Sequence, residues 1–224
     1  MNELMNSFQK LIDTLSNAFS ILDFSYIVSG GLAFLLILFD LHENHTSFMM
    51  ENLTITIVCG VFLSYICGLF AWLIGRFIRR NTFKIMYKRT IEDTFQTVYN
   101  DAIASLTKID ALQKMPMTDA PSLSYEYMWI GLEKKEEAAS RVNYIHRFWV
   151  MQAVFEGLIT VLILAIGILW HLKPDTAECG LLCCMVLLSI LFIFLIKLCC
   201  DEAKRCAETQ IREVILSYYQ YVVE

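Results

Sequence analysis

Charged residues are scarce in this chain. Only 18% of its 224 residues are Asp, Glu, Lys or Arg, whereas 57% are hydrophobic, and the mean hydropathy is positive. This balance excludes an ordinary soluble globular domain, in which roughly a quarter of the residues are charged. The apolar residues form four blocks, each long enough to cross the roughly 30 Å hydrocarbon layer of a bilayer as a helix. The blocks cover residues 21–41, 53–78, 148–172 and 180–200.

The blocks also lack the alternation of a strand that faces lipid on one side and water on the other, which excludes a transmembrane barrel. Helices then remain as the way to satisfy the backbone in lipid. We expect no cleavable signal peptide, because residues 1–20 are amphipathic and carry Lys10 as their single basic residue. The sequence therefore predicts an all-α integral membrane protein with four transmembrane helices.

Basic residues are scarce in the two short connections between blocks. Residues 40–52 contain none, and the connection after residue 172 has only Lys173. Twelve of the 18 basic residues lie instead between Arg76 and Arg147. Because Lys and Arg near the ends of spans stay on the cytoplasmic side, we predict that this long segment and both termini are cytoplasmic.

Catalytic and metal-binding motifs are missing as well. The sequence has no nucleophile triad, Walker sequence, zinc motif or carboxylate pair, and its eight cysteines include no CxxC. We predict no metal, no cofactor and no enzymatic activity. The cysteines are interpreted as packing residues, with lipid modification of Cys199 and Cys200 as the alternative.

Helices are predicted outside the four spans too. No Pro or Gly follows the second block until Pro116, and helical spacing resumes at Pro121 and continues without a break into the third block. The two arms predict an antiparallel cytoplasmic hairpin, 79–147, that extends spans two and three. Residues 1–20 predict an amphipathic helix on the inner membrane surface or against a partner helix, and 201–224 predict a cytoplasmic C-terminal helix.

Three polar residues follow one face of the third span. Gln152, Glu156 and Thr160 are spaced by four, and an ionisable side chain at this depth is costly unless it has a partner, a proton or water. The stripe predicts either a pore wall or a hydrated interface, or a neutral Glu156 that hydrogen-bonds to a neighbouring helix.

Small residues follow one face of the second span: Gly60, Ser64, Gly68 and Gly75. Such residues let helices approach closely in lipid. The neighbouring helix is either another span of the same chain or a second protomer, and we expect a homo-oligomer.

A basic stripe follows at the inner end of this span. It consists of Arg76, Arg80, Lys84 and Lys88 at spacings of four, with Arg79 and Arg89 beside them. Anionic lipid headgroups are the expected partner. A nucleotide or RNA phosphate is the alternative, although no glycine-rich phosphate loop accompanies the stripe.

Arg141 and His146 form an Arg-x4-His pair that looks like the ribonuclease motif of HEPN domains. In a helix the two positions are about 140° apart. His146 also precedes the third span, where basic residues are expected in any membrane protein. Membrane-tethered ribonuclease activity is therefore the third of our functional hypotheses.

The segment SYEYMWIGLEKKEEAASRVNYIHRFW, residues 124–149, runs directly into the third span. This layout resembles small four-span membrane proteins of bacterial anti-phage systems, among them membrane accessories of type VI CRISPR loci and membrane subunits of two-gene defence systems. The resemblance implies a non-enzymatic effector or sensor that forms an oligomer in the bacterial inner membrane. Such a protein would bind a cytoplasmic protein partner through the hairpin and perturb the membrane, for example as a pore. The alternative is a non-conducting adaptor that recruits a cytoplasmic nuclease.

Overall fold

A computed structural model describes residues 21–43, 53–87, 91–107, 121–172 and 179–223. Within these ranges the chain is helical throughout, apart from short turns, and contains no strand. The helices are α1 (Ile21–Glu43), α2 (Leu53–Tyr87), α3 (Ile91–Thr107), α4 (Pro121–Glu133), α5 (Ala139–His171) and α6 (Cys179–Tyr218), and a π-helical segment, Tyr219–Val223, follows α6. The predicted N-terminal helix, 1–20, lies outside the described residues.

Three stretches of the described chain are long and apolar enough to cross a membrane: Cys59–Asn81, Glu136–His171 and Cys179–Val223. They overlap the second, third and fourth predicted spans and indicate a multi-pass membrane protein. The first predicted span, 21–41, is helical within α1, but its apolar stretch Ser25–Leu41 is shorter than 18 residues. A fourth span therefore stays a prediction.

The helices form two compact units. The first unit comprises the described residues up to Gly75 together with Glu156–Lys197, and the second comprises those of Arg76–Phe155 and Leu198–Glu224. Helices α2, α5 and α6 each contribute residues to both units, because none of them is interrupted at the inner end of its predicted span. In particular, α6 has no break between the predicted fourth span and the predicted C-terminal helix.

The second unit has a hydrophobic core of its own, contributed by α3, α4, α5 and α6. Its buried members are Tyr99, Ala102, Ile103, Leu106, Met128, Leu132, Ala138, Ile145, Val214, Ile215 and Tyr218. The four from α3 follow spacings of three and four, which places them on one helix face. Burying a Leu, Ile or Met side chain stabilises a fold by about 1.5–3 kcal/mol, so this interior accounts for the integrity of the unit.

A turn at residues 134–138 separates α4 from α5, so the prediction of one unbroken helix from Pro121 into the third span is wrong. Ring centroids of Trp129 in α4 and Trp149 in α5 are 4.9 Å apart. Twenty residues of continuous helix would separate these positions by about 30 Å. The chain therefore reverses direction at the turn, and α4 and α5 form a helical hairpin.

The break has a physical cause in the run EKKEE, residues 133–137, all of which are exposed. Leu132 precedes this run and Ala138 follows it, and both side chains are completely buried. Six positions along one helix amount to about 240°, so a continuous helix could not direct both side chains into the same core. Lys135 instead adopts an extended conformation, and Glu136–Ala138 form a 3₁₀ turn that brings Ala138 inside.

The predicted hairpin 79–147 is only partly covered by the described residues. Its first arm is represented by the end of α2 and by α3, and residues 88–90 and 108–120 lie outside the described ranges. The hairpin that the structure does describe has α4 and α5 as its arms, and α3 packs into the same core.

Candidate functional site

Helices α1 and α2 of the first unit meet at a contact of backbone against backbone. A Cβ atom at Gly30 would overlap the carbonyl oxygen of Ser64, and one at Gly68 would overlap the carbonyl oxygen of Tyr26. Because Gly30 pairs with Ser64 while Tyr26 pairs with Gly68, the helices run antiparallel. Small residues allow this approach, as the sequence pattern predicts.

Helix α5 packs on α2 in the same manner. A Cβ atom at Gly75 would overlap the carbonyl oxygen of Glu156, and one turn away the Thr160 hydroxyl donates a hydrogen bond to the Ala71 carbonyl oxygen (2.6 Å). These two pairs show that α2 and α5 are also antiparallel. The small-residue face of α2 therefore serves contacts within the chain at Ser64, Gly68 and Gly75.

Gly60 differs from the other members of this face. Among the residues that the structure describes, no heavy atom of a neighbouring element lies within 4 Å of a Cβ built at this position. Close packing at Gly60 therefore stays a prediction. The position is instead a natural comparison for the other glycines of α2.

A third contact joins α1 to α5. The Ser29 hydroxyl and Cβ lie 2.5 and 2.6 Å from where a Cβ of Gly157 would stand. Ser29 also donates a hydrogen bond to the carbonyl oxygen of Ser25, one turn earlier (3.3 Å). Both serines are fully buried, so the interior formed by α1, α2 and α5 is lined by small and polar groups.

Glu156 lies in this interior and is 0% exposed. Thr160 is half-buried and bonded to α2, and Gln152, which belongs to the second unit, is also half-buried. The three residues of the predicted polar stripe are therefore on one helix but do not line an open surface together. Their placement favours the packing interpretation over the pore wall, since Glu156 faces other helices of its own chain.

Helix α6 is joined to α5 in the first unit by a polar contact. The indole N–H of Trp170 donates a hydrogen bond to the Ser189 hydroxyl (3.0 Å), which in turn donates to the Met185 carbonyl oxygen (2.8 Å). Only 6% of the most apolar segment of α6 is buried, compared with 33% of the most apolar segment of α5. Most of the apolar surface of α6 therefore faces outward.

The predicted basic stripe is partly visible. Arg76 and Arg80 are exposed and one turn apart, whereas Arg79 is only 5% exposed and does not share their surface. The side chains of Lys84, Lys88 and Arg89 lie outside the described residues. Contact of the exposed pair with lipid headgroups stays a prediction.

Arg141 and His146 occupy different surroundings in the second unit. The Arg141 guanidinium forms an ion pair with Glu213 (2.6 Å), donates to the Ser217 hydroxyl (3.4 Å) and lies over the Tyr144 ring. The sequence pattern did not identify the two α6 partners, because residues more than seventy positions away give no local signal.

His146 instead packs against two tryptophans. Its ring centroid lies 5.3 Å from that of Trp129 and 5.2 Å from that of Trp149. The structure thus places Arg141 in an ion pair and His146 in an aromatic cluster, and their action as a ribonuclease pair stays a prediction. Among the described residues, no three His, Cys, Asp or Glu side chains are grouped as metal ligands.

A second polar contact of α6 involves Tyr125 in α4. The amide of Gln210 donates a hydrogen bond to the Tyr125 hydroxyl (3.0 Å). Burial raises the pKa of Tyr125 to about 12, and the hydrogen bond from Gln210 partly offsets that rise. The C-terminal part of α6 is therefore joined to the α4–α5 hairpin by apolar packing, an ion pair and a neutral hydrogen bond.

Comparisons with protein-family models, with curated proteins and with solved structures find no match for this chain. Function is therefore inferred from the geometry of the two units and from the sequence pattern.

Proposed function

We propose that this protein is a non-conducting, four-span membrane adaptor whose second unit lies in the cytoplasm and holds a protein partner there. The four spans, the cytoplasmic position of both termini and the bacterial inner membrane belong to this proposal. Support for the spans comes from three long apolar helices and from the close packing of α1 against α2.

The observation that carries the proposal is the independent core of the second unit. A protein that only needed to cross the membrane would gain nothing from four helices packed around Met128, Leu132 and Ile145, all completely buried. Residues of α3 that point away from this core are polar or small: Gln96, Thr97, Asn100, Asp101, Ala104 and Ser105. A stable helical unit with such a water-compatible face suits recruitment of a cytoplasmic protein.

The adaptor is preferred over a pore because of Glu156. A pore lined by Gln152, Glu156 and Thr160 needs these side chains to face a common lumen, yet Glu156 is completely buried among helices of its own chain. Purified protein in liposomes should therefore conduct no ions above the level of protein-free liposomes. Ion flux that changes in Glu156→Gln would overturn the adaptor and restore the pore, provided that the variant matches the wild type in its thermal unfolding.

Anti-phage defence is proposed as the biological setting, on the resemblance of the four-span layout and of residues 124–149. A bacterial host that carries the gene with its genomic neighbours should resist phage infection, and removal of the gene should reduce that resistance. Arg141→Lys and His146→Gln should retain protection, because the adaptor has no ribonuclease role. Loss of protection in His146→Gln alone, with normal protein level, would instead favour the nuclease hypothesis.

An oligomer is part of the same proposal. The mass of the purified particle, measured in detergent with the bound detergent subtracted, should exceed that of one 25.9 kDa chain. A monomeric particle in both detergent and nanodiscs would contradict it while leaving the adaptor role open to the flux test.

A further inference from the structure

Helix α4 is apolar on both of its sides. Its inward side contributes Met128 and Leu132 to the core of the second unit. Its outward side carries an apolar stripe of Leu123, Tyr127 and Ile130, which are 59%, 62% and 49% exposed. These positions are spaced by four and three and lie on one helix face. A helix with large apolar side chains on two opposite faces is typical of a protein interior or of a membrane, and not of a surface in water.

The contrast with α3 sharpens this point. Both helices pack one face into the same core, but the exposed positions of α3 between Phe95 and Leu106 carry no large apolar side chain. The apolar stripe of α4 is thus not a general property of the exposed helices in this unit. The two helices differ in the medium that their outward faces suit, α3 water and α4 hydrocarbon.

The α4–α5 hairpin places the apolar stripe beside the start of the third span. Trp129 contacts His146 and Trp149, which lie within two positions of residue 148, where the predicted span begins. Because α4 runs antiparallel to α5, its earlier residues extend along α5 beyond Trp149. Leu123 precedes Trp129 by six residues, or about 9 Å of helix, so it lies alongside the first turns of the apolar block.

The aromatic residues of the α4–α5 hairpin also indicate a position at the membrane–water boundary. Trp and Tyr concentrate where a bilayer meets water, because one end of each ring system is apolar and the other is polar. Trp129, Trp149 and the exposed Tyr127 and Tyr144 all belong to the α4–α5 hairpin. Glu126 and Glu133 are exposed on one edge of the stripe, where their carboxylates can reach water.

We propose that α4 is an interfacial membrane helix that runs alongside the start of the third span, with Leu123, Tyr127 and Ile130 in contact with lipid in the outermost part of the bilayer. The inference rests on the proposed crossing of the membrane by α5. It adds a lipid-binding surface within the second unit and confines the partner-binding surface of that unit to its other faces. Lipid is the expected occupant, because a water-facing α4 would expose three large apolar side chains on a helix with only two acidic residues.

Site-specific photocrosslinking tests the proposal with the full-length protein in liposomes of phosphatidylcholine and phosphatidylglycerol. p-Benzoylphenylalanine replaces Tyr127 in one variant, Asn100 on the polar face of α3 in a second, and Leu187 on the apolar surface of α6 in a third. After irradiation, the proteins at positions 127 and 187 should gain the mass of a lipid, and the protein at position 100 should not.

The three positions distinguish an error in the interfacial helix from an error in the proposed spans. A lipid adduct at 187 but none at 127 would overturn the interfacial helix and leave the spans intact, and a crosslink from 127 to a second copy or another protein would do the same. Absence of a lipid adduct at both positions would contradict the proposed spans as well.

Depth provides a second measurement with milder substitutions. Lipids brominated near the headgroup should quench the additional fluorescence of Tyr127→Trp more strongly than lipids brominated near the chain ends, since α4 packs beside the start of the predicted span. Asn100→Trp is the matched control and should be quenched by neither. Equal quenching of the two variants would overturn the proposal even if each protein folds normally.

Discussion

The packing of α1 on α2 makes a sharp prediction for two glycines of the same helix. Gly68→Ala should strongly destabilise the first unit, whereas Gly60→Ala should not. A Cβ at position 68 would overlap the carbonyl group of Tyr26, and no neighbouring element lies within 4 Å of a Cβ at position 60. Both changes add one methyl group to α2, so they differ only in what that methyl group meets.

The magnitude follows from the distances. The added carbon at position 68 would lie 2.9 Å from the Tyr26 Cα, whereas carbon atoms pack at about 3.5–4.0 Å. The helices must therefore separate by roughly 1 Å, which forfeits a quarter to half of each dispersion contact between them. Overpacking of this kind costs about 1–3 kcal/mol. Alanine gains about 1 kcal/mol over glycine in helix propensity, and this gain cancels when the two variants are compared.

The assay is reversible unfolding of the full-length protein in mixed micelles, followed by tryptophan fluorescence as the denaturing detergent is increased. Trp72 packs edge-on against Tyr26, with centroids 5.6 Å apart, and should report the separation of α1 from α2. Gly68→Ala should unfold at lower detergent fraction than Gly60→Ala, by about 1–3 kcal/mol in free energy. Equal stability of the two variants would refute the close contact of α1 with α2.

Three further measurements address single contacts. Arg141→Ala and Glu213→Ala should be coupled by about 1 kcal/mol in a double-mutant cycle, because their ion pair is only partly exposed, and additive effects would contradict the pair. Between pH 10 and about 12 the folded state retains the Tyr125 proton, whereas the unfolded state releases it. The free energy of unfolding should therefore fall as the pH rises through this range, by up to about 3 kcal/mol. Tyr125→Phe should flatten that dependence, and an unchanged slope would refute the assignment. Thr160→Val should lose about 1 kcal/mol with its hydrogen bond to Ala71, whereas Thr160→Ser should retain the bond, and identical unfolding of the two would show that the bond contributes nothing.

Long apolar periodicity made the helical membrane fold predictable. The helices of predicted spans two, three and four are long and apolar enough to cross a membrane, and Ser64, Gly68 and Gly75 lie at close contacts as their spacing indicates. These features are local, since they depend on residues a few positions apart. Local spacing does not reveal whether such a contact forms within the chain or between protomers. For these three residues the observed packing against α1 and α5 answers that question.

The reversal between α4 and α5 was missed for a different reason. Turns are usually signalled by Pro or Gly, and the EKKEE run contains neither. The available signal was the spacing of Leu132 and Ala138, which does not fit one face of a single helix. Likewise, nothing near Arg141 indicates Glu213, because an ion pair between distant helices follows from tertiary packing.

The two units differ in the side chains that they expose, and this difference supports the solvents that we propose for them. In the first unit Ser25, Ser29 and Glu156 are inside, while Phe62 and Phe70 are more than 60% exposed. Such an arrangement would be unstable in water but suits lipid, which solvates apolar side chains and excludes polar ones. The second unit has a hydrophobic core, and the outer face of α3 in this unit is polar or small. The outward face of α4 differs from that of α3, because it exposes large apolar side chains, as the first unit does. The same physical criterion therefore favours lipid around the first unit, water at α3 and, as we propose, the bilayer surface at α4.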